Sequence, residues 1–200
     1  MKLIGISGGS GAGKTTLAQE LENSLPNSLL IQGDIFLFEE SDKLEEKILE
    51  KIGVKKNINV FSHNYYLTSF DNIKKWISVI EPNVISRIQE IIKTEGKNKD
   101  YIIIDWCFLP LCDFFKKCDT TICVTANYDI RFSRLTQRLQ YNIDSNYGDE
   151  PLDAYKPEII EKRIKLTAFN ELGYNFDEYI ENNSDVETYH NNIKKLIVKL

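Results

Sequence analysis

The stretch Gly8-Gly9-Ser10-Gly11-Ala12-Gly13-Lys14-Thr15 satisfies every constrained position of the phosphate-loop pattern G-x-x-x-x-G-K-[ST]. Its flanks agree with it. Lys2-Leu3-Ile4-Gly5-Ile6-Ser7 is an apolar run of strand length, and Thr15 through Glu22 reads as a helix. Glycines let the backbone take angles that side chains resist, so successive N–H groups can converge on anionic oxygens. The first turn of the following helix adds the positive end of its dipole. In that arrangement Gly9, Ser10, Gly11, Ala12, Gly13, Lys14, Thr15 and Thr16 cradle the phosphates of a nucleoside triphosphate. Lys14 reaches the β- and γ-phosphates, and the Thr15 hydroxyl holds Mg²⁺. A glycine-rich turn with no ligand is the bland alternative, and the constrained positions and flanks weigh against it.

The chain has 200 residues, enough for one α/β domain with a substantial core and short for two. A hydrophobic share of 42% and an aromatic share of 11% belong to a globular protein rather than a disordered one. The net charge of −5 argues against a general nucleic-acid binder. No apolar stretch approaches the ~18 residues that span a bilayer, and the apolar run at the N-terminus is too short for a signal peptide. A cytoplasmic protein with no membrane partner is expected. Cys107, Cys112, Cys118 and Cys123 lie close together but form no C-x-x-C pair, so reduced thiols are favoured over a metal site.

Further strands are expected at Ser28–Gln32, Tyr101–Asp105, Thr120–Thr125 and Glu178–Ile180. Tyr101-Ile102-Ile103-Ile104-Asp105 has the continuous apolar character of a central parallel strand. Helices are expected over Ser41–Ile52, over Phe70–Lys93 with a break or kink at Glu81-Pro82, and over the arginine-rich Tyr128–Leu139. Two more run from Pro157 to about Leu172 and from Val186 to Leu200, and residues 54–69 read as irregular. Strands alternating with helices predict a three-layer α/β fold, a five-stranded parallel sheet flanked by helices. Residues 1–200 then form a single phosphate-loop domain with a substrate-binding insertion at about 35–100 and a mobile lid at about 140–157.

Asp34 follows the second strand at the carboxyl edge, where open α/β sheets bind ligands. A carboxylate there can take the proton of a substrate hydroxyl as that oxygen attacks the γ-phosphate; a turn residue is the alternative. Asp105 ends the isoleucine strand at the place where a carboxylate orients Mg²⁺. Arg131, Arg134 and Arg138 share one helical face and match phosphate oxygens in geometry. Arg134 and Arg138 lead into the lid and are favoured for charge stabilisation, whereas Arg131 reads as an ordinary solvated arginine. Arg163 is an even choice. His63 and His190 carry no metal or base pattern, and Trp76 and Trp106 read as core or pocket wall.

These residues resemble dephospho-CoA kinases, within the group of phosphate-loop nucleoside and nucleotide kinases. Ile4 to Thr15 resembles that family's opening, and Val79-Ile80-Glu81-Pro82-Asn83-Val84 its I-x-H-P-x-V element. Ile102 to Asp105 with Leu109-Pro110-Leu111 is similar to its D-x-P-L-L strand end. Arg131 to Arg138 resembles its R-L-x-x-R helix, and Tyr179 to Asn183 its late I-D-N-x-G segment. Glu81 stands where the family has histidine, Gly33-Asp34-Ile35-Phe36 replaces D-A-D, and Thr167-Ala168-Phe169-Asn170 replaces a glutamine-proline pair. The opening with Gln32 to Phe36 also resembles uridine kinases and nicotinamide riboside kinases.

The resemblance implies transfer of the γ-phosphoryl group of ATP to a ribose hydroxyl, with Mg²⁺. The acceptor it implies is the 3′-hydroxyl of dephospho-CoA, giving coenzyme A; a nucleoside is the alternative. It further implies Asp34 as base, Asn182 near the adenine of ATP, small-molecule partners only, and a monomer as the simpler state. A nucleotide switch is disfavoured, because no N-K-x-D or D-x-x-G element occurs. A binding-only relative stays open.

Overall fold

Ile102, Ile103 and Ile104 are fully buried and point alternately into two separate apolar layers. That alternation is the period of a strand covered on both faces. The computed structural model describes residues 1–55, 66–145 and 156–200. The strands are β1 (Lys2–Gly8), β2 (Ser28–Gln32), β3 (Tyr101–Asp105), β4 (Thr120–Thr125) and β5 (Glu178–Glu181). They form one parallel sheet in the order β2-β3-β1-β4-β5. The helices are α1 (Lys14–Ser24), α2 (Gly33–Lys43), α3 (Glu45–Ile52), α4 (Phe70–Thr94), α5 (Tyr128–Ser145), α6 (Pro157–Leu166) and α7 (Val186–Ile197). The expected five-stranded parallel sheet flanked by helices is present.

On one face Ile4, Ile6, Ile103, Ile122 and Val124 meet Leu17 and Leu21 of α1 and Ile193 and Leu196 of α7. On the other Ile31, Ile102 and Ile104 meet Leu37, Ile48 and the buried stripe of α4. The helix expected over Ser41–Ile52 is two helices, because Leu44 (φ −110°, ψ 13°) leaves helical geometry between Lys43 and Glu45. The first of the two begins at Gly33, so Asp34 lies in a helical first turn rather than a loop.

The break expected at Pro82 does not occur, and α4 runs through it. An interior proline costs about 3 kcal/mol. Ile73, Trp76, Ile77, Ile80, Val84 and Ile88 are all buried along that helix. At about 1.5–3 kcal/mol each, their burial outweighs the proline. Helix α5 continues past Leu139 to Ser145, so the first residues of the expected lid are helical. The rest of the lid, residues 146–155, lies outside the described residues, as do residues 56–65 with His63. Helix α6 stops at Leu166 rather than near Leu172.

Candidate functional site

Register aligns the carboxyl ends of the strands. Gly8 pairs with Val124, Ile6 and Gln32 both pair with Asp105, and Thr125 pairs with Glu181. The segments leaving that edge are therefore the phosphate loop, the start of α2 with Asp34, Asp105, and Asn182. This is where the strand order reverses about β1, and such switch points open a crevice.

The loop is held by its carbonyls. Arg131 Nε donates to Ser10 O at 2.9 Å, and Arg134 Nη1 to Gly11 O at 3.3 Å. Asn182 Nδ2 donates to Ala12 O at 2.8 Å, and the Tyr189 hydroxyl to Gly13 O at 3.1 Å. Four consecutive carbonyls are thus gripped from α5, the end of β5 and α7. In a trans peptide the N–H points opposite to the C=O, so the N–H groups of Gly11, Gly13 and Lys14 face away from these donors, and all three residues line the cavity. Ala12 departs from expectation. It is buried, its N–H bonds Gly9 O at 2.9 Å, and it is not part of the cavity wall.

Two glycines make this collar possible. A Cβ at Gly9 would lie 2.0 Å from Arg131 Nη2. Gly13 has φ +104°, and a Cβ there would lie 2.4 Å from Asn182 Nδ2. Helix α1 has no side-chain cap and no acid in its first turn, which leaves its positive end for an anion.

On the cavity floor, Lys14 Nζ lies 3.4 Å from Asp34 Oδ2 and 3.8 Å from Asp105 Oδ1. The Thr15 hydroxyl donates to Asp105 Oδ2 at 2.9 Å, and the Cys107 N–H to Asp34 Oδ1 at 3.3 Å. Burial would lower the Lys14 ammonium, but the two carboxylates outweigh it and hold it above the usual lysine range. Burial raises the Asp105 carboxyl, with Lys14 pulling against it. Asp105 Oδ1 is buried with no hydrogen-bond partner, and buried polar atoms ordinarily have one. A carboxylate oxygen with an ion pair to Lys14 but no hydrogen bond, beside a threonine hydroxyl, is a donor set that suits Mg²⁺ completed by phosphate and water.

Lys14, Thr15, Asp34 and Cys107 open onto a cavity of about 620 Å³, and Asp105 is buried beside them. Arg134, Arg138, Arg163 and Thr167 line it from α5 and α6, and Asn182, Val186, Tyr189 and His190 from the other flank. Arg138 is exposed at the rim. Arg134 also donates to Asn182 Oδ1 at 3.0 Å. His190 pairs with Glu20. The expectation for Arg131 fails, because it is only 4% exposed. Its Nη2 donates to Ile164 O at 2.9 Å and to Thr167 Oγ1 at 3.3 Å, and Thr167 Oγ1 also accepts the Ser10 N–H at 3.0 Å. Helix α6 is thereby stapled to the loop. Burial lowers the Arg131 guanidinium, and no carboxylate lies within ion-pair distance of it among the described residues.

All four cysteines are free, and burial pushes the thiols of Cys107, Cys118 and Cys123 up to about 12. Among the described residues no group of three His, Cys, Asp or Glu side chains is placed to hold a metal. Nor is any helix long and apolar enough to cross a membrane. The sequence alone does not single out Thr167 and Tyr189 as site residues. Gly9 and Gly11, glycines at positions the motif leaves open, were the signal that something packs against the loop.

No curated protein matches the chain. Among solved structures, the chain is similar to the Thermus thermophilus protein TT1252, with a TM-score of 0.65 at 16% identity, covering 100% of this chain and 97% of that one. A shikimate kinase from Bacteroides thetaiotaomicron gives 0.55 at 14% identity, covering 100% and 99%. A dephospho-CoA kinase from Campylobacter jejuni gives 0.54 at 18% identity, covering 100% and 97%. At such identities the likeness concerns the fold, that of phosphate-loop kinases. Residues 4–153 match the family described as the AAA domain, and the chain belongs to that family.

Proposed function

We propose that the chain is an ATP- and Mg²⁺-dependent small-molecule kinase, a phosphotransferase with an alcohol group as acceptor. The observation that carries this reading is the meeting of Lys14, Thr15 and Asp34 in the wall of one cavity, with Asp105 buried against Lys14 and Thr15. The second carboxylate, Asp34, faces the loop lysine from the first turn of α2, where it can take a proton from an attacking hydroxyl. The kinase fold of the solved neighbours is consistent with it.

In the reaction, the loop amides and Lys14 bind the phosphates of ATP, and the acceptor hydroxyl lies against Asp34. The hydroxyl oxygen bonds to the γ-phosphorus, the bond from that phosphorus to the bridging oxygen of ADP breaks, and the hydroxyl proton passes to Asp34. Thr15 and Asp105 would hold Mg²⁺, which when bound neutralises charge on the β- and γ-oxygens. Arg138, with Arg134, supplies cationic hydrogen-bond donors on the α5 side of the cavity. Asn182 fixes the loop beside the place where the nucleoside of ATP lies. Two acceptors follow from the sequence, the 3′-hydroxyl of dephospho-CoA and the hydroxyl of a nucleoside.

The test is ADP release with dephospho-CoA, uridine, cytidine, nicotinamide riboside and nucleoside monophosphates offered separately. One acceptor should raise the rate well above the hydrolytic background. Asp34→Asn should then cut turnover by about 10²–10⁴-fold while ATP still binds. Full activity in that variant would show that another group takes the proton.

A further inference from the structure

The side of the cavity beyond Asp34 differs in kind from the loop side. Leu37, Phe38, Leu67, Trp76, Cys107 and Phe108 form it. Phe38 is 39% exposed, and Trp76 and Phe108, both buried, pack edge to face at 5.2 Å. Phe169 braces Phe108 in turn at 6.0 Å.

The polar atoms of this wall have partners within the protein. Trp76 Nε1 donates to Ser41 Oγ at 2.9 Å, and Ser41 Oγ donates to Leu37 O at 2.6 Å. The Cys107 thiol donates to Gly8 O at 3.4 Å. The cations carried by this part of the chain are turned to other work. Lys43 and Arg87 pair with Glu40, Arg87 also with Glu39, and Arg87 lies over the Phe36 ring. Neither Lys43 nor Arg87 lines the cavity. Among the described residues the lining cations are Lys14, Arg134, Arg138 and Arg163. Lys14 starts α1, and the three arginines come from α5 and α6, the helices that Arg131 and Thr167 fasten to the phosphate loop. None comes from α2, α4 or the Cys107–Phe108 turn.

We infer that the acceptor half of the site takes an uncharged alcohol bearing a flat ring, with the ring against Phe38, Trp76 and Phe108 and the hydroxyl at Asp34. The inference deepens the phosphotransferase reading and, for the word acceptor, rests on it. A carboxylate or phosphate placed on this wall would lose its water and, among the described residues, meet no cation from α2, α4 or the Cys107–Phe108 turn, which is costly. A neutral ring gains contact with aromatic faces and loses little hydration. A nucleoside belongs to the class that fits. Dephospho-CoA, with its pyrophosphate, and shikimate, with its carboxylate, do not.

The experiment is calorimetric titration of the full chain, its donor half saturated with Mg²⁺ and a non-hydrolysable ATP analogue. The ligands are neutral and charged pairs that differ only by a phosphate: uridine and its 5′-monophosphate, cytidine and its 5′-monophosphate, together with dephospho-CoA. At least one nucleoside should bind tenfold or more tightly than its phosphate. Phe38→Ala should weaken that binding at least fivefold and leave the affinity for the ATP analogue unchanged. Tighter binding of the charged member, binding of dephospho-CoA in preference to both nucleosides, or no nucleoside binding beside a bound ATP analogue would each overturn the inference. Nucleoside binding without ADP release when ATP replaces the analogue would remove the phosphotransfer reading and leave the ligand class standing.

Discussion

Arg131→Met should destabilise the protein and loosen its nucleotide loop together. The guanidinium makes two short hydrogen bonds to carbonyls, Ser10 O and Ile164 O, each at 2.9 Å, and a longer one to Thr167 Oγ1 at 3.3 Å. A hydrogen bond with a charged donor contributes about 1.5–3 kcal/mol, so the two short ones represent about 3–6 kcal/mol. Burial of the cation without a carboxylate partner offsets part of this, as the lowered guanidinium pKa indicates. A net loss of about 3 kcal/mol remains, which for a chain of this size is roughly 6–12 °C in melting temperature. Methionine fills much of the space, so the loss reports the hydrogen bonds rather than a void.

The assay is a thermal melt of wild type, Arg131→Met and Gly9→Ala, repeated with saturating Mg²⁺ and ATP. Gly9→Ala should lower the melt as well, since its Cβ would occupy the guanidinium's place 2.0 Å from Nη2. The double variant should fall short of the sum of the two, because both changes break the same contact. ATP should raise the melt of each variant less than that of the wild type. A shift of under 2 °C for Arg131→Met, or strict additivity with Gly9→Ala, would refute the staple.

Three further outcomes follow. Lys14→Ala should abolish the heat of ATP binding and, by leaving Asp34 and buried Asp105 without their cation, also lower the melt in the absence of nucleotide, checked by calorimetry and a thermal scan. Asp177 accepts from Thr121 Oγ1 at 2.6 Å and from the Thr121 N–H at 2.7 Å, and these bonds hold its carboxyl below the usual aspartate range. Its contribution is therefore complete above the unfolded carboxylate pKa of about 3.9 and is lost as pH falls through the lower, folded value. Asp177→Asn should flatten that acid limb in urea melts taken from pH 6 to pH 2. Burial raises all four thiols, so a maleimide at pH 7 should label the native protein slowly and all 4 cysteines in urea.

The parts of this fold that could be read from sequence are those fixed by local periodicity. Tyr101–Asp105 and Thr120–Thr125 have their observed boundaries because a strand covered on both faces is a continuous apolar run, and charged or turn residues end it. The placing of Lys14, Asp34 and Asp105 near one another could be read because each stands at, or within two residues of, the end of a strand or of the phosphate loop. The break at Leu44 and the passage of α4 through Pro82 could not, since each depends on which side chains the sheet buries. Arg131 was misread for the same reason. Its spacing matches that of Arg134 and Arg138, and only the tertiary contact with Ser10 O and Ile164 O sets it apart.

That contact also sorts the arginines by what each can do during a reaction. Arg131 is buried, absent from the cavity wall, and held by short bonds on two sides. Turning it toward a phosphate would orphan two buried carbonyls at about 1–3 kcal/mol each. Arg134 is half-buried and lines the cavity; it holds Gly11 O and Asn182 O at 3.3 Å each, where a hydrogen bond is weak, and the Asn182 side-chain Oδ1 at 3.0 Å. Exchanging those acceptors for phosphate oxygens would replace neutral partners by charged ones at little loss. The stiff arginine therefore shapes the loop, and in the proposed phosphotransfer the looser one, with Arg138 at the rim, would follow the charge as it moves. Arg134→Lys should accordingly reduce turnover far more than it lowers the melt, the reverse of Arg131→Lys, and equal ratios for the two variants would show that the division of labour does not exist.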